Sequence, residues 1–74
     1  MTDVEMIPVK SSNLDAVGYD ANEQQLYVRF LSGGTYKYFG VSEYVFNQLL
    51  MADSKGQYLA RYIKKAGYRY ERLL

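Results

Sequence analysis

The sequence predicts an α+β domain in which a three-stranded antiparallel meander is followed by two helices packed on one face (β-β-β-α-α). Three observations carry that prediction. Apolar residues recur at every second position from Val17 to Phe39, the pair Gly33-Gly34 interrupts that stretch, and after Gly40 the apolar spacing becomes helical. One domain takes up all 74 residues, and a chain this short must bury nearly every apolar side chain to be stable.

Val17-Gly18-Tyr19 opens the meander and the polar run from Asp20 to Gln25 turns the chain. In the second strand, from Leu26 to Leu31, Leu26, Val28 and Phe30 share one face. Adjacent glycines tolerate positive φ, and a three-residue loop Ser32-Gly33-Gly34 sets Phe30 opposite Tyr36 and Val28 opposite Tyr38. A two-residue Gly-Gly turn would instead set Phe30 against Lys37 and scatter the apolar set. Upstream, Met6-Ile7-Pro8-Val9 has the composition of a short strand, but Pro8 lacks an N–H and confines it to an edge, with its pairing open.

Ser42 is placed to cap the first helix, which should run from about Ser42 to Met51. Val41 before the cap can pack on Phe46, and Val45, Phe46, Leu49 and Leu50 form its buried stripe. A second start falls at Ser54, with Gln57 three residues on and an apolar stripe of Leu59, Tyr62, Ile63 and Ala66. Gly67 supplies the stop. The tail from Tyr68 to Leu74 alternates like a strand but is short and charged, and no partner is assigned to it.

Composition narrows the chemistry. Apolar residues make up 49% and charged residues 23%, a globular balance. With neither cysteine nor histidine, the chain lacks disulfides, Cys/His zinc sites and the side chain best suited to proton transfer near neutral pH. No cofactor or metal is expected, no carboxylate pair such as Asp15 and Asp20 has the spacing of a shared acid-base site, and the expectation is a binding domain without catalysis. The acidic start Met1-Thr2-Asp3-Val4-Glu5 is unlike a secretory leader, and no stretch approaches the ~18 apolar residues of a membrane span. A soluble, cytoplasmic protein is expected.

Charge is distributed unevenly. Residues 1–54 hold three basic side chains against seven acidic ones, whereas residues 55–74 hold six basic (Lys55, Arg61, Lys64, Lys65, Arg69, Arg72) against Glu71 alone. A basic C-terminal third points to a polyanion, while a solvated helix face explains the same residues without a partner.

In this order and spacing, Val9-Lys10-Ser11-Ser12, Val17-Gly18-Tyr19-Asp20, Leu26-Tyr27-Val28-Arg29-Phe30, Tyr36-Lys37-Tyr38 with Val41, Ser54-Lys55-Gly56-Gln57-Tyr58, Ile63 and Tyr68 resemble the KTSC family. That short domain is named for its place at the C-terminus of some lysyl-tRNA synthetases and also occurs as a free-standing bacterial or phage protein. The resemblance covers roughly residues 7 to 70 and implies no enzyme activity; from its attachment to a tRNA ligase it suggests RNA as a partner. Relatives often carry proline where this chain has Ser42, and both residues suit a helix start.

Each candidate site has a bland reading beside a functional one. Tyr36 and Tyr38 share the helix-covered face, where they either pack or stack successive bases. The opposite face carries Tyr27, Arg29, Leu31, Thr35, Lys37 and Phe39, interleaving rings with cations as open-sheet modules for single-stranded RNA do. The same Leu31, Phe39 and Tyr27 would equally form an apolar patch for a homo-oligomer or a protein partner. Lys55 and Gly56 open the second helix, where a phosphate can sit or where glycine merely permits close packing. Arg61, Lys64, Lys65, Arg69 and Arg72 would extend that site as a basic stripe. Two functions follow: an RNA or single-stranded nucleic-acid binding domain, tRNA included, or a protein-interaction module. A third is a phage or mobile-element protein that captures a host factor or a nucleotide at the second helix.

Overall fold

The structure, a computed structural model, describes residues 4–73. It is an α+β domain with one five-stranded antiparallel sheet in strand order β1-β2-β3-β4-β5. The strands are β1 (Ile7–Pro8), β2 (Leu14–Asp20), β3 (Gln25–Phe30), β4 (Thr35–Phe39) and β5 (Tyr70–Arg72). Between β4 and β5 come α1 (Glu43–Met51) and α2 (Lys55–Leu59), which runs on into a π-helical turn, Ala60–Lys64.

The three-stranded meander is therefore corrected to five strands. Ile7 and Pro8 pair with Val17 and Ala16 at one edge, a place that tolerates the missing proline N–H. At the other edge Tyr70, Glu71 and Arg72 pair with Tyr38, Lys37 and Tyr36. Two further bonds extend that seam, with Phe39 N–H donating to the Arg69 carbonyl at 2.9 Å and Leu73 N–H to the Thr35 carbonyl at 2.8 Å. The tail's alternation was thus a strand signal, whose partner lies more than 30 positions back in the chain. Met1, Thr2, Asp3 and Leu74, on which the leader and tail readings partly fell, lie outside the described residues.

Hairpin register needs a second correction. The loop has three residues, but they are Leu31-Ser32-Gly33, with Gly33 at φ +110° and Gly34 facing Phe30. Val28 therefore pairs with Tyr36 and Leu26 with Tyr38. A slip of two residues leaves every side chain on its own face, so alternation alone does not choose between the two registers. Leu31, expected to end the strand, begins the loop instead.

On the helix side, Leu14, Val17, Leu26, Val28 and Tyr38 meet Val41, Phe46 and Leu49, together with Leu59 and Ile63. Side chains such as these contribute about 1.5–3 kcal/mol each when fully buried. The Tyr19 ring stacks on Phe46 at 5.0 Å between centroids, and its hydroxyl donates to the Val41 carbonyl. Ser42 and Ser54 both act as caps, accepting from the N–H groups of Val45 and Gln57. Gly67 stops the chain in the left-handed region, at φ +88°.

The stripe expected on the second helix is only half present. Leu59 and Ile63 are buried, whereas Tyr62 and Ala66 are exposed. The cause is the π-helical turn, in which Lys65 N–H donates to the Ala60 carbonyl at 3.3 Å, five residues back. The wider turn departs from the 3.6-residue period on which the i, i+3, i+4, i+7 stripe depends. Tyr62 lies tilted against Tyr58 instead, with centroids 4.8 Å apart.

Candidate functional site

Rings and cations meet on both faces of β4 and β5. On the face turned away from the helices, Lys37 projects between two aromatics, its Nζ lying 5.9 Å from the Tyr27 ring centre and 5.1 Å from that of Phe39. Arg69, one residue before β5, brings its guanidinium carbon within 5.0 Å of the same Phe39 ring. Acids temper this face. Glu71 stands 3.7 Å from Lys37, and Asp15, pushed out at an irregularity in the β2–β3 register, holds Arg29 at 2.8 Å. The Arg29–Asp15 pair is exposed on both sides and the Lys37–Glu71 pair on its Glu71 side, so each is worth about 1 kcal/mol at most.

That face is not wholly open. The segment from Val4 to Met6 crosses it at Gly18, which has no side chain to prevent the approach: a Cβ there would lie 2.8 Å from the Glu5 carbonyl oxygen. Tyr27, which pairs with Gly18, is half-buried, as are Thr35, Lys37 and Phe39. Arg29 and Leu31 remain exposed.

On the helix side the helices stop short of β5 and leave a cleft of about 610 Å³. Its walls are Phe30, Tyr36, Tyr38 and Tyr70, with Lys64 and Arg72 among them. Phe30 meets Tyr36 edge-on at 5.6 Å, and Tyr70 lies tilted against Tyr36 and Tyr38 at 6.0 and 5.8 Å. Lys64 sits 5.0 Å above the Phe30 ring and Arg72 5.8 Å above that of Tyr36.

Burial pushes the Tyr38 phenol above its ordinary value, with Tyr36 and Tyr70 adding to the shift, so the hydroxyl stays protonated at neutral pH. Burial raises Tyr19, helped by Glu43 and Asp20, and it raises Tyr58 beside Tyr44, Tyr62 and Tyr68. In all three the folded state favours the neutral phenol. Stability is therefore complete below about pH 10, the ordinary tyrosine value, and falls as pH rises from there through the raised values. Stability, read from denaturant unfolding monitored by circular dichroism, should fall above about pH 10, and Tyr38→Phe should flatten that loss; an unchanged alkaline profile would refute the assignment.

The cations of the C-terminal third do not form one stripe. Lys64 and Arg72 reach the cleft, while Arg69 joins Lys37 on the opposite face. Arg61 lies beside Tyr58 and Tyr62, and Lys65 is exposed at the helix end. Lys55 donates to the Ala52 carbonyl at 3.2 Å. Gly56 accommodates the Asn13 side-chain amide, with which a Cβ would collide, so its close approach is to the β1–β2 loop. Phe30 and Tyr70 are the cleft residues that the sequence reading did not single out. The signal for Tyr70 lay in the tail, where Tyr70 and Arg72 alternate with Arg69 and Glu71, and that for Phe30 in its alternation with Leu26 and Val28.

Other motif residues build the scaffold. The Ser11 hydroxyl accepts from the N–H groups of Asn13 and Leu14, and the buried Asp20 carboxylate accepts from those of Asn22 and Glu23. Among the described residues no group of three or more carboxylates is arranged to hold a metal ion, and no helix is long and apolar enough to cross a membrane.

Sheet order, two capped helices on one face and ring-cation clusters on both sides of the β4–β5 edge define a small α+β domain of meander type. Its fold closely matches the crystal structure of a KTSC domain protein from Yersinia pestis, with a TM-score of 0.91 at 30% identity over 97% of this chain and 100% of that one. The KTSC domain model matches residues 10–70, and the chain belongs to the KTSC domain family. A protein of Tsukamurella paurometabola is 46% identical over 59 residues, covering 80% of this chain and 88% of that protein. A lysine–tRNA ligase of Nostoc sp. is 37% identical over 68 residues, which is 92% of this chain but 12% of the ligase.

Proposed function

We propose that this chain is a non-catalytic binding domain for RNA or another single-stranded nucleic acid, acting in the cytoplasm. The observation that carries the reading is the placing of Lys37 and Arg69 over Tyr27 and Phe39 on the sheet face turned from the helices. Rings offer stacking to any base and the cations offer contacts to phosphates. Occurrence of a matching domain in a lysine–tRNA ligase supports RNA as the polyanion.

Titration with mixed tRNA and with a single-stranded oligonucleotide at low and moderate salt tests it. Affinity should fall steeply with salt, and replacing Lys37 and Arg69 together by Gln should lower the slope of log K against log salt by about 0.7 per lost contact. Absence of binding at low salt would end this reading.

A protein-interaction module is the second reading, favoured by Leu31, which is 56% exposed at the hairpin tip. It requires salt-tolerant association that is lost in Phe39→Asp, measured as solution mass.

A further inference from the structure

We propose that the cleft bounded by β4, β5 and the π-helical turn is a pocket for one nucleotide unit, its base lying against Tyr36 and Tyr70 and its phosphate against Lys64. The site is distinct from the sheet face discussed above, because β5 alternates: Arg69 and Glu71 belong to that face and Tyr70 and Arg72 to the cleft. The two are separable by mutation.

Three features select the occupant. The cleft, at about 610 Å³, falls within the ~300–1,000 Å³ range of small-ligand sites. Its aromatic walls are not closed on one another: Tyr36 and Tyr70 are tilted by 51° with centres 6.0 Å apart, and Tyr70 is 63% exposed. A flat π-system is the shape that gains most from such walls. Among the described residues that line the cleft none is acidic and Lys64 is a cation, so the occupant carries negative charge. A planar ring joined to an anion describes a nucleotide better than an acidic peptide, which would leave the rings without a flat partner.

Local structure supports the pocket. The π-helical turn buries Ile63 and brings the next residue, Lys64, over Phe30. Gly34 helps to keep the floor low, since a Cβ there would come within 3.2 Å of the Tyr36 ring. At the back, the buried Tyr38 retains its phenolic proton and can donate to the edge of a base.

The nucleotide can be free or can be the splayed or terminal residue of an RNA strand, and the experiment has an arm for each. The ring protons of Tyr36 and Tyr70 are followed by NMR during titration with adenosine 5′-monophosphate, adenosine, ribose 5-phosphate and a short oligoadenylate. Ring shifts are expected with the monophosphate or the oligoadenylate; comparable affinities indicate a free nucleotide, and a clear preference for the oligomer indicates a strand.

Tyr70→Thr, which keeps a strand-forming residue on β5, should weaken binding by about 5- to 150-fold, the equivalent of one base stack. Lys64→Gln should weaken the monophosphate but leave adenosine unchanged. Lys37→Gln with Arg69→Gln should leave the ring shifts intact, so that loss of the sheet-face reading and loss of this one are told apart. Ring shifts absent with every probe, or equal shifts from ribose 5-phosphate and the monophosphate, would overturn the proposal, as would Tyr70→Thr that folds and binds unchanged.

Discussion

Ile63→Ala is expected to destabilise the domain by about 2–5 kcal/mol, read as a lower urea midpoint with an unchanged m-value. The side chain is fully buried in the π-helical turn, within the cluster that joins both helices to the sheet. For a domain of this length, total stability is on the order of 4–11 kcal/mol, so a single methyl-rich side chain carries a large share. The control is Tyr62→Ala. An uninterrupted α-helical stripe would make Tyr62 as costly as Ile63, but it is 53% exposed and loses mainly its contact with Tyr58. Its cost should stay below about 1 kcal/mol. Comparable losses for the two variants would mean that the π-helical geometry is wrong.

Gly18→Ala comes second. A Cβ at this position would lie 2.7 Å from Val4 Cγ1, 2.8 Å from the Glu5 carbonyl oxygen and 2.9 Å from Met6 Sδ. The two side chains can turn away, but the carbonyl moves only if the backbone of the segment moves. The expected cost is about 1–3 kcal/mol, as for other overpacked sites, with amide exchange at residues 4–6 accelerated before the rest of the sheet. Exchange that stays protected at those residues, with stability unchanged, would show that the segment does not rest on Gly18. Because Gly18 pairs with Tyr27, the same segment sets how much of the ring-cation face is open to a partner.

Much of the architecture was legible because it is local. The caps at Ser42 and Ser54 are each made within three residues, and the stop at Gly67 concerns its own φ. Alternation through Leu26, Val28, Tyr36 and Tyr38 correctly assigned the two faces of the meander. The family, too, was readable from motifs whose residues turn out to be caps, turns and packed rings.

What the sequence determined by itself, then, was the class of fold, the helix starts and the side of the sheet on which each strand residue lies, since all of these follow from spacing and short-range hydrogen bonding. Tertiary structure alone decided the fifth strand, the hairpin register and the meeting of Lys64 with Phe30, Tyr36 and Tyr70. The physical reason is that a period of two is unchanged by a two-residue slip, and that an edge strand is defined by a partner far away in the chain. The direction of Lys64 was likewise settled by a widened helical turn that no local pattern announced, and those of Arg69 and Arg72 by the pairing of β5.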